Sequence, residues 1–169
     1  VGNAVRLATP QMGDPMLSPS GRLLALRVKG PEFNTTVDGF DVVAAEQSGY
    51  ALYAVDTAPA SGQASARLRD LGRICLTGSK PTFSYDERWL IFHHYVTDDD
   101  AVDLGFSGPS DPAFADYRES GASNLMLADL RTGTTQRITN MAPGQYALFP
   151  HFRSDGWIYF VVRTVDGAE

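Results

Sequence analysis

Three segments of this chain repeat one pattern, and that repetition constrains the fold more than any other feature. They are PMLSPSGRLLALRV (15–28), PTFSYDERWLIFHHYV (81–96) and PHFRSDGWIYFVVRTV (150–165). Pro15, Pro81 and Pro150 fall in register, and Leu17, Phe83 and Phe152 follow two residues later. A polar turn comes next, carrying Ser20-Gly21, Asp86-Glu87 and Asp155-Gly156, and the third turn is one residue shorter. An apolar run then starts at Leu23, Trp89 and Trp157. A second element repeats as YALYAVDT (50–57) and SNLMLADL (123–130), with Asp56 over Asp129. A third closes each unit as ARLRDLGRICLT (66–77) and TTQRIT (134–139), and NAVRLAT (3–9) reads as the closing strand of a preceding unit. Units of this kind bury their faces against their neighbours.

The runs LLALRV, WLIFHHYV and WIYFVVRTV are near-continuously apolar, which fits strands covered on both faces. Ser-Gly and Asp-Gly turns tolerate the positive φ that tight hairpins need. With 16 Gly and 10 Pro in 169 residues, short strands and turns are favoured over long helices. Each unit therefore reads as a short strand, a tight turn, an apolar strand, a long loop, a third strand, a turn and a last strand. The fold class is all-β. Four antiparallel strands per unit, repeated, point to β-propeller blades, here 10–77, 78–139 and the first half of one over 140–169. That is about two and a half blades, an incomplete ring, since closed rings typically hold four to eight. The chain is expected to be part of a longer propeller, or to complete one with other chains. A small β-sandwich is the alternative.

The pattern Pro-x-Phe-Ser-x-Asp-Gly-x-x-Ile/Leu-x-Phe, followed by an Asn-Leu-x-x-x-Asp-Leu-x-x-Gly strand pair and an Arg-Ile-Thr ending, resembles the TolB-like, WD-related propeller repeat. The best unit is 81–139, which carries Glu87 where Gly is usual, and LSPSGRLLAL carries Ser20 where Asp is usual. The resemblance implies a propeller. It also implies a periplasmic or extracellular location, because similar proteins are largely bacterial envelope proteins. The start at Val1 reads as a trimmed N-terminus.

The net charge of −6 is concentrated in two segments. Residues 97–122 carry seven acids and one Arg, and residues 30–49 carry four acids and no base, leaving the rest of the chain positive. An acidic surface repels phosphate backbones, so nucleic acid is not an expected partner. No apolar run approaches the roughly 18 residues of a membrane helix. Both acidic segments connect a second strand to a third. Strand alternation therefore puts them on the same face as the links between units, 78–80 and 140–149. Loops this long in a compact domain are usually functional or disordered. They combine acids with aromatic rings, so they are the candidate partner-binding residues: Phe33, Asp38, Phe40 and Asp41 in the first, and Asp98, Asp99, Asp100, Asp103, Phe106, Phe114 and Tyr117 in the second. Rings among acids suggest either a docking element or an anchor holding the loop to its own unit.

Asp98, Asp100 and Asp103 are the candidate ligands for a cation, and Ca²⁺ prefers such oxygens, but their spacing departs from the Asp-x-Asp-x-Asp-Gly loop. No cofactor is expected otherwise. His93 and His94 are adjacent on a strand and point to opposite faces, so they cannot share a metal. Gly105-Phe106-Ser107-Gly108-Pro109 fails the Gly-x-Ser-x-Gly rule at its last position. Cys75 lies between apolar neighbours and reads as a buried strand thiol. Trp89, Phe92, Trp157, Tyr159 and Phe160 read as core. The open edge at 157–162 is expected to be covered by residues outside 1–169 or by another chain's strands. The preferred function is a non-catalytic propeller segment that binds a protein partner, or the remaining blades, through the acidic loops. The alternative is the propeller part of an enzyme, either ahead of a prolyl-oligopeptidase-like hydrolase or in a carbohydrate-active lyase.

Overall fold

A computed structural model describes residues 12–28, 35–37, 40–42, 48–60 and 63–165. The strand expected at 3–9, Phe33 and Asp38 lie outside the described residues, as do the side chains of Phe40 and Asp41. The described chain is all-β apart from short helical turns, and its sheets are open. It divides into two units, Val1–Thr77 and Gly78–Glu169.

The first unit holds β1 (Met12–Leu17), β2 (Leu23–Val28), β3 (Thr35–Val37), β4 (Phe40–Val42), β5 (Gly49–Ala60) and β6 (Gln63–Ile74). β1, β2, β5 and β6 form an antiparallel sheet in that order, while β3 and β4 pair as a separate hairpin within the acidic insertion. Ala25 and Leu26 on β2, and Tyr50 and Ala51 on β5, are sequence neighbours and all buried, so both faces of the sheet are covered. Leu26, Val28, Ala51 and Tyr53 form one core cluster, with Leu24 and Leu68 against it. Cys75 departs from expectation and is exposed. It lies one residue beyond β6, an edge strand of the described sheet.

The second unit holds β7 (Ser79–Phe83), β8 (Trp89–Tyr95), the helix α1 (Ala115–Ser120), β9 (Ser123–Asp129), β10 (Thr135–Arg137), β11 (Gln145–Phe152) and β12 (Ile158–Thr164). β7, β8, β9 and β10 form a second antiparallel meander. β11 and β12 form a hairpin, and β11 meets β9 in parallel at Tyr146 and Ser123. Five consecutive residues of β8, Leu90 to His94, are buried, as the apolar run requires. Ile91, Leu125 and Ala147 form the core, with Leu127, Met141, Phe152 and Ile158 packed on it.

The aligned prolines mark a recurring bulge. Register shifts fall between Gly13 and Met16, Ser79 and Thr82, and Leu148 and His151. The residue before each proline, Asp14, Lys80 and Phe149, has a φ of 47°, 53° and 52° respectively. Proline has no N–H for the ladder, and a bulge removes that position from the pairing. The turns that follow also share one geometry. Ser18 and Ser84 each donate N–H to the carbonyl of Leu23 or Trp89 at 2.9 Å, and each accepts the N–H of that residue on Oγ. Gly21, Glu87 and Gly156 take the left-handed position, with φ of 72°, 57° and 87°. Glu87 thus adopts the conformation that glycine favours at the same place in the other two turns.

The aromatic assignments separate. Phe92 is buried, and Trp89 is half-buried with Arg88 stacked 4.4 Å from its ring. Trp157, Tyr159 and Phe160 are exposed within this chain, because among the described strands β12 lies at the sheet edge with only β11 beside it. No described helix is long and apolar enough to cross a membrane. Leu125→Ala in the 169-residue chain is expected to lower unfolding free energy by about 2–5 kcal/mol. Trp157→Ala, at a residue 70% exposed, is expected to change it by less than about 0.5 kcal/mol. Urea unfolding of the two variants checks the ranking.

Candidate functional site

The acidic segment 97–122 folds into a cap on the second unit. It leaves β8 through a turn of 3-10 helix at Asp98–Asp100, passes a second such turn at Pro112–Phe114, and returns through α1 to β9. Its first fastening pairs a buried histidine with a half-buried aspartate. His94, with only 4% of its side chain exposed, directs Nε2 at both oxygens of Asp100, at 3.0 and 2.9 Å. Asp100 Oδ2 also accepts from Thr97 N at 2.7 Å and from Thr97 Oγ1 at 2.9 Å. Burial on its own pushes the Asp100 carboxyl up, but the hydrogen bonds from His94 and Thr97 outweigh it and hold the group below the usual carboxylate range.

The second fastening is aromatic. Phe106, Phe114 and Tyr117 meet with ring centroids 5.4 to 5.7 Å apart, and the Phe114–Tyr117 pair is stacked. Phe114 is 1% exposed. Of the two roles open to these rings, its ring serves as the anchor, inside the cap's own small core. Tyr117 Oη donates to Met141 O at 3.0 Å, Tyr146 Oη donates to Ser120 O at 2.5 Å, and Gly144 N donates to Gly121 O at 2.7 Å. These bonds tie the cap to the link between β10 and β11, on the shared face that strand alternation requires. Gly121 sits at φ 68° with Tyr146 Oη against it, so a side chain there would be both strained and in collision.

The carboxylates divide by role. Asp100 holds the cap to β8. Asp111, absent from the sequence candidates, accepts from Ser107 N, Ala113 N and Ser107 Oγ at 2.9 to 3.0 Å, and these bonds lower its pKa. Asp98 is exposed and lies 3.7 Å from Arg118 Nε, an arrangement worth little in water. Asp99, Asp103, Asp116 and Glu119 are exposed, and among the described residues their carboxylates have neither a hydrogen bond nor an ion pair. Asp98, Asp100 and Asp103 are therefore turned to different tasks. Among the described residues no three His, Cys, Asp or Glu side chains gather as a metal-binding set.

Between the cap and the sheet lies a cavity of about 230 Å³. His94, Asp100, Asp103, Asn124, Thr135 and Arg137 contribute its polar lining, and Val96, Leu104 and Met126 its apolar lining. Sequence reading named only the two aspartates of this set as site residues. Asn124 lies in the Asn-Leu strand and Arg137 in the Arg-Ile-Thr ending that carry the resemblance to the propeller repeat, so both read as fold signature. His93 faces the other way, with its ring 5.4 Å from Tyr95 and 5.9 Å from Phe149. His151 stacks on Tyr159 at 5.9 Å. The sequence matches no family model and no curated protein.

Because the folded pKa of Asp100 is depressed, its contribution to stability is complete above the unfolded value of about 4 and is lost as pH falls through the folded value. Asp100→Asn is expected to lower the urea midpoint at pH 7. The gap to the parent protein should narrow below about pH 4. A gap of constant size from pH 7 to pH 2 would contradict this role.

Proposed function

We propose that the chain is a segment of a TolB-like β-propeller, about two and a half blades long, that acts without catalysis as a protein-docking module in the bacterial envelope or outside the cell. Two four-stranded antiparallel meanders followed by a hairpin support the blade reading, as does the bulge repeated at three first strands. β2 and β8, the second strands of their units, are each paired on both sides, to β1 and β5 and to β7 and β9. By the same repeat, β12 would accept a third strand on its open edge, from the remaining blades or from another chain.

The observation that carries the docking reading is the order of the cap. A solvated, variable loop has no need of a ring cluster built on a buried Phe114 and a carboxylate held by a buried His94. This one keeps both, and leaves Asp99, Asp116 and Glu119 exposed without intramolecular counter-charges. Fixed carboxylates of one sign favour a partner with a basic surface, through encounter rate and specificity more than through raw affinity.

Deleting 98–116 would remove Asp100 and the buried Phe114, so surface substitution is the cleaner test. Asp99→Lys, Asp116→Lys and Glu119→Lys combined should leave the circular dichroism spectrum and thermal midpoint close to those of the parent chain. The same variant should lose the protein that the parent captures from an envelope extract at about 50 mM salt, and the parent's own capture should weaken at about 500 mM. Equal recovery by parent and variant would count against the docking reading.

A further inference from the structure

The cavity beneath the cap has a charge balance that narrows what it can hold. Arg137 sits on β10 and spends one N–H on the backbone carbonyl of Asp103, at 3.0 Å. Among the described residues its guanidinium has no carboxylate partner. The Asp103 carboxylate is likewise without a partner there, although both residues line the same space. Asn124 is 2% exposed, and its Oδ1 is committed to Thr139 Oγ1 at 3.1 Å and to Met141 N at 2.8 Å. Its Nδ2 donates to no described residue. The Nδ2 group is not among the fully buried donors left without a partner, so it opens on the cavity and is free to meet an acceptor there, from water or from a ligand. Asp100 adds a carboxylate already engaged by His94.

We propose that this cavity binds a small aliphatic zwitterion, an α-amino acid with its carboxylate toward Arg137 and Asn124 and its ammonium group toward Asp103. A simple anion would face the carboxylates of Asp100 and Asp103. A simple cation would face Arg137. A ligand carrying both charges meets both unpartnered groups at once. No Phe, Tyr or Trp ring lines the cavity, and the His94 ring is held by Asp100, so the broad stacking surface that a sugar ring would use is lacking, whereas Val96, Leu104 and Met126 suit a short aliphatic side chain. At about 230 Å³ the space falls below the range of drug-sized pockets. The inference stands apart from the docking reading, which concerns the outer surface of the cap.

The test is titration of the full 169-residue chain with glycine, alanine, valine and leucine, followed by calorimetry and by amide chemical shifts. N-acetyl-alanine, alaninamide and glucose serve as controls. Saturable binding of at least one free amino acid is expected, with shifts at Asn124, Thr135 and Arg137. Either blocking group should abolish it. Arg137→Gln and Asp103→Asn, both at exposed positions, should each weaken it by about tenfold or more, the loss expected for one charge-assisted contact. The proposal is overturned by no saturable binding up to about 10 mM, by equal binding of the blocked forms, by preference for glucose, or by binding that survives both substitutions unchanged.

Discussion

The structure depends first on the bulge at the proline of each first strand. A residue before proline is pressed toward extended backbone, yet Asp14, Lys80 and Phe149 all lie at positive φ. Such positions cost on the order of 1–3 kcal/mol each and persist where surrounding contacts over-determine them. What over-determines them here is the pairing on either side. β1, β7 and β11 each keep antiparallel register with their hairpin partner both before and after the shift. In the second unit the bulges also meet one another, since Thr82 Oγ1 donates to Pro150 O at 2.9 Å. A carbonyl released from its own ladder thus becomes the acceptor that joins two successive first strands.

The same device gives each repeat a different side chain to use. The bulge turns Asp14 toward Arg27, at 3.4 Å. It leaves Lys80 exposed, and it brings the Phe149 ring to within 5.9 Å of His93. Backbone geometry is therefore the repeated quantity and chemistry the variable one. Function then falls to what is grafted onto the scaffold, which in the second unit is the cap on His94 and Asp100.

How much of this was legible follows from where the signal lay. Strand order and turn positions were readable because apolar runs and Ser-Gly or Asp-Gly pairs have short-range physical causes. The three prolines were visible in register, but the bulge was not, since it arises from pairing between strands. The cap's acids were visible as a charge run. Their division into bonded and unbonded carboxylates was not, because it depends on which groups the folded cap turns toward each one: His94 and Thr97 toward Asp100, and Ser107 and Ala113 toward Asp111. The misreading of Cys75 has the same origin. Its apolar neighbours suggested burial, and only the sheet order shows β6 to be an edge strand of the described sheet.

His93 and His94 show how one strand serves two faces. Alternation sends their side chains opposite ways. Both are buried, yet they meet unlike surroundings: an aromatic one of Tyr95 and Phe149, and a carboxylate supplied by the insertion. The pair therefore couples the bulge of β11, through Phe149, to the cap, through Asp100, across the thickness of a single strand. Moving β8 along its ladder by one residue would exchange the two faces. The ring of His94 would then turn away from Asp100, which depends on it for a hydrogen bond. The register of β8 against β9, fixed from Trp89–Asp129 through Tyr95–Ser123, is for that reason as much a determinant of the cap as any residue within it.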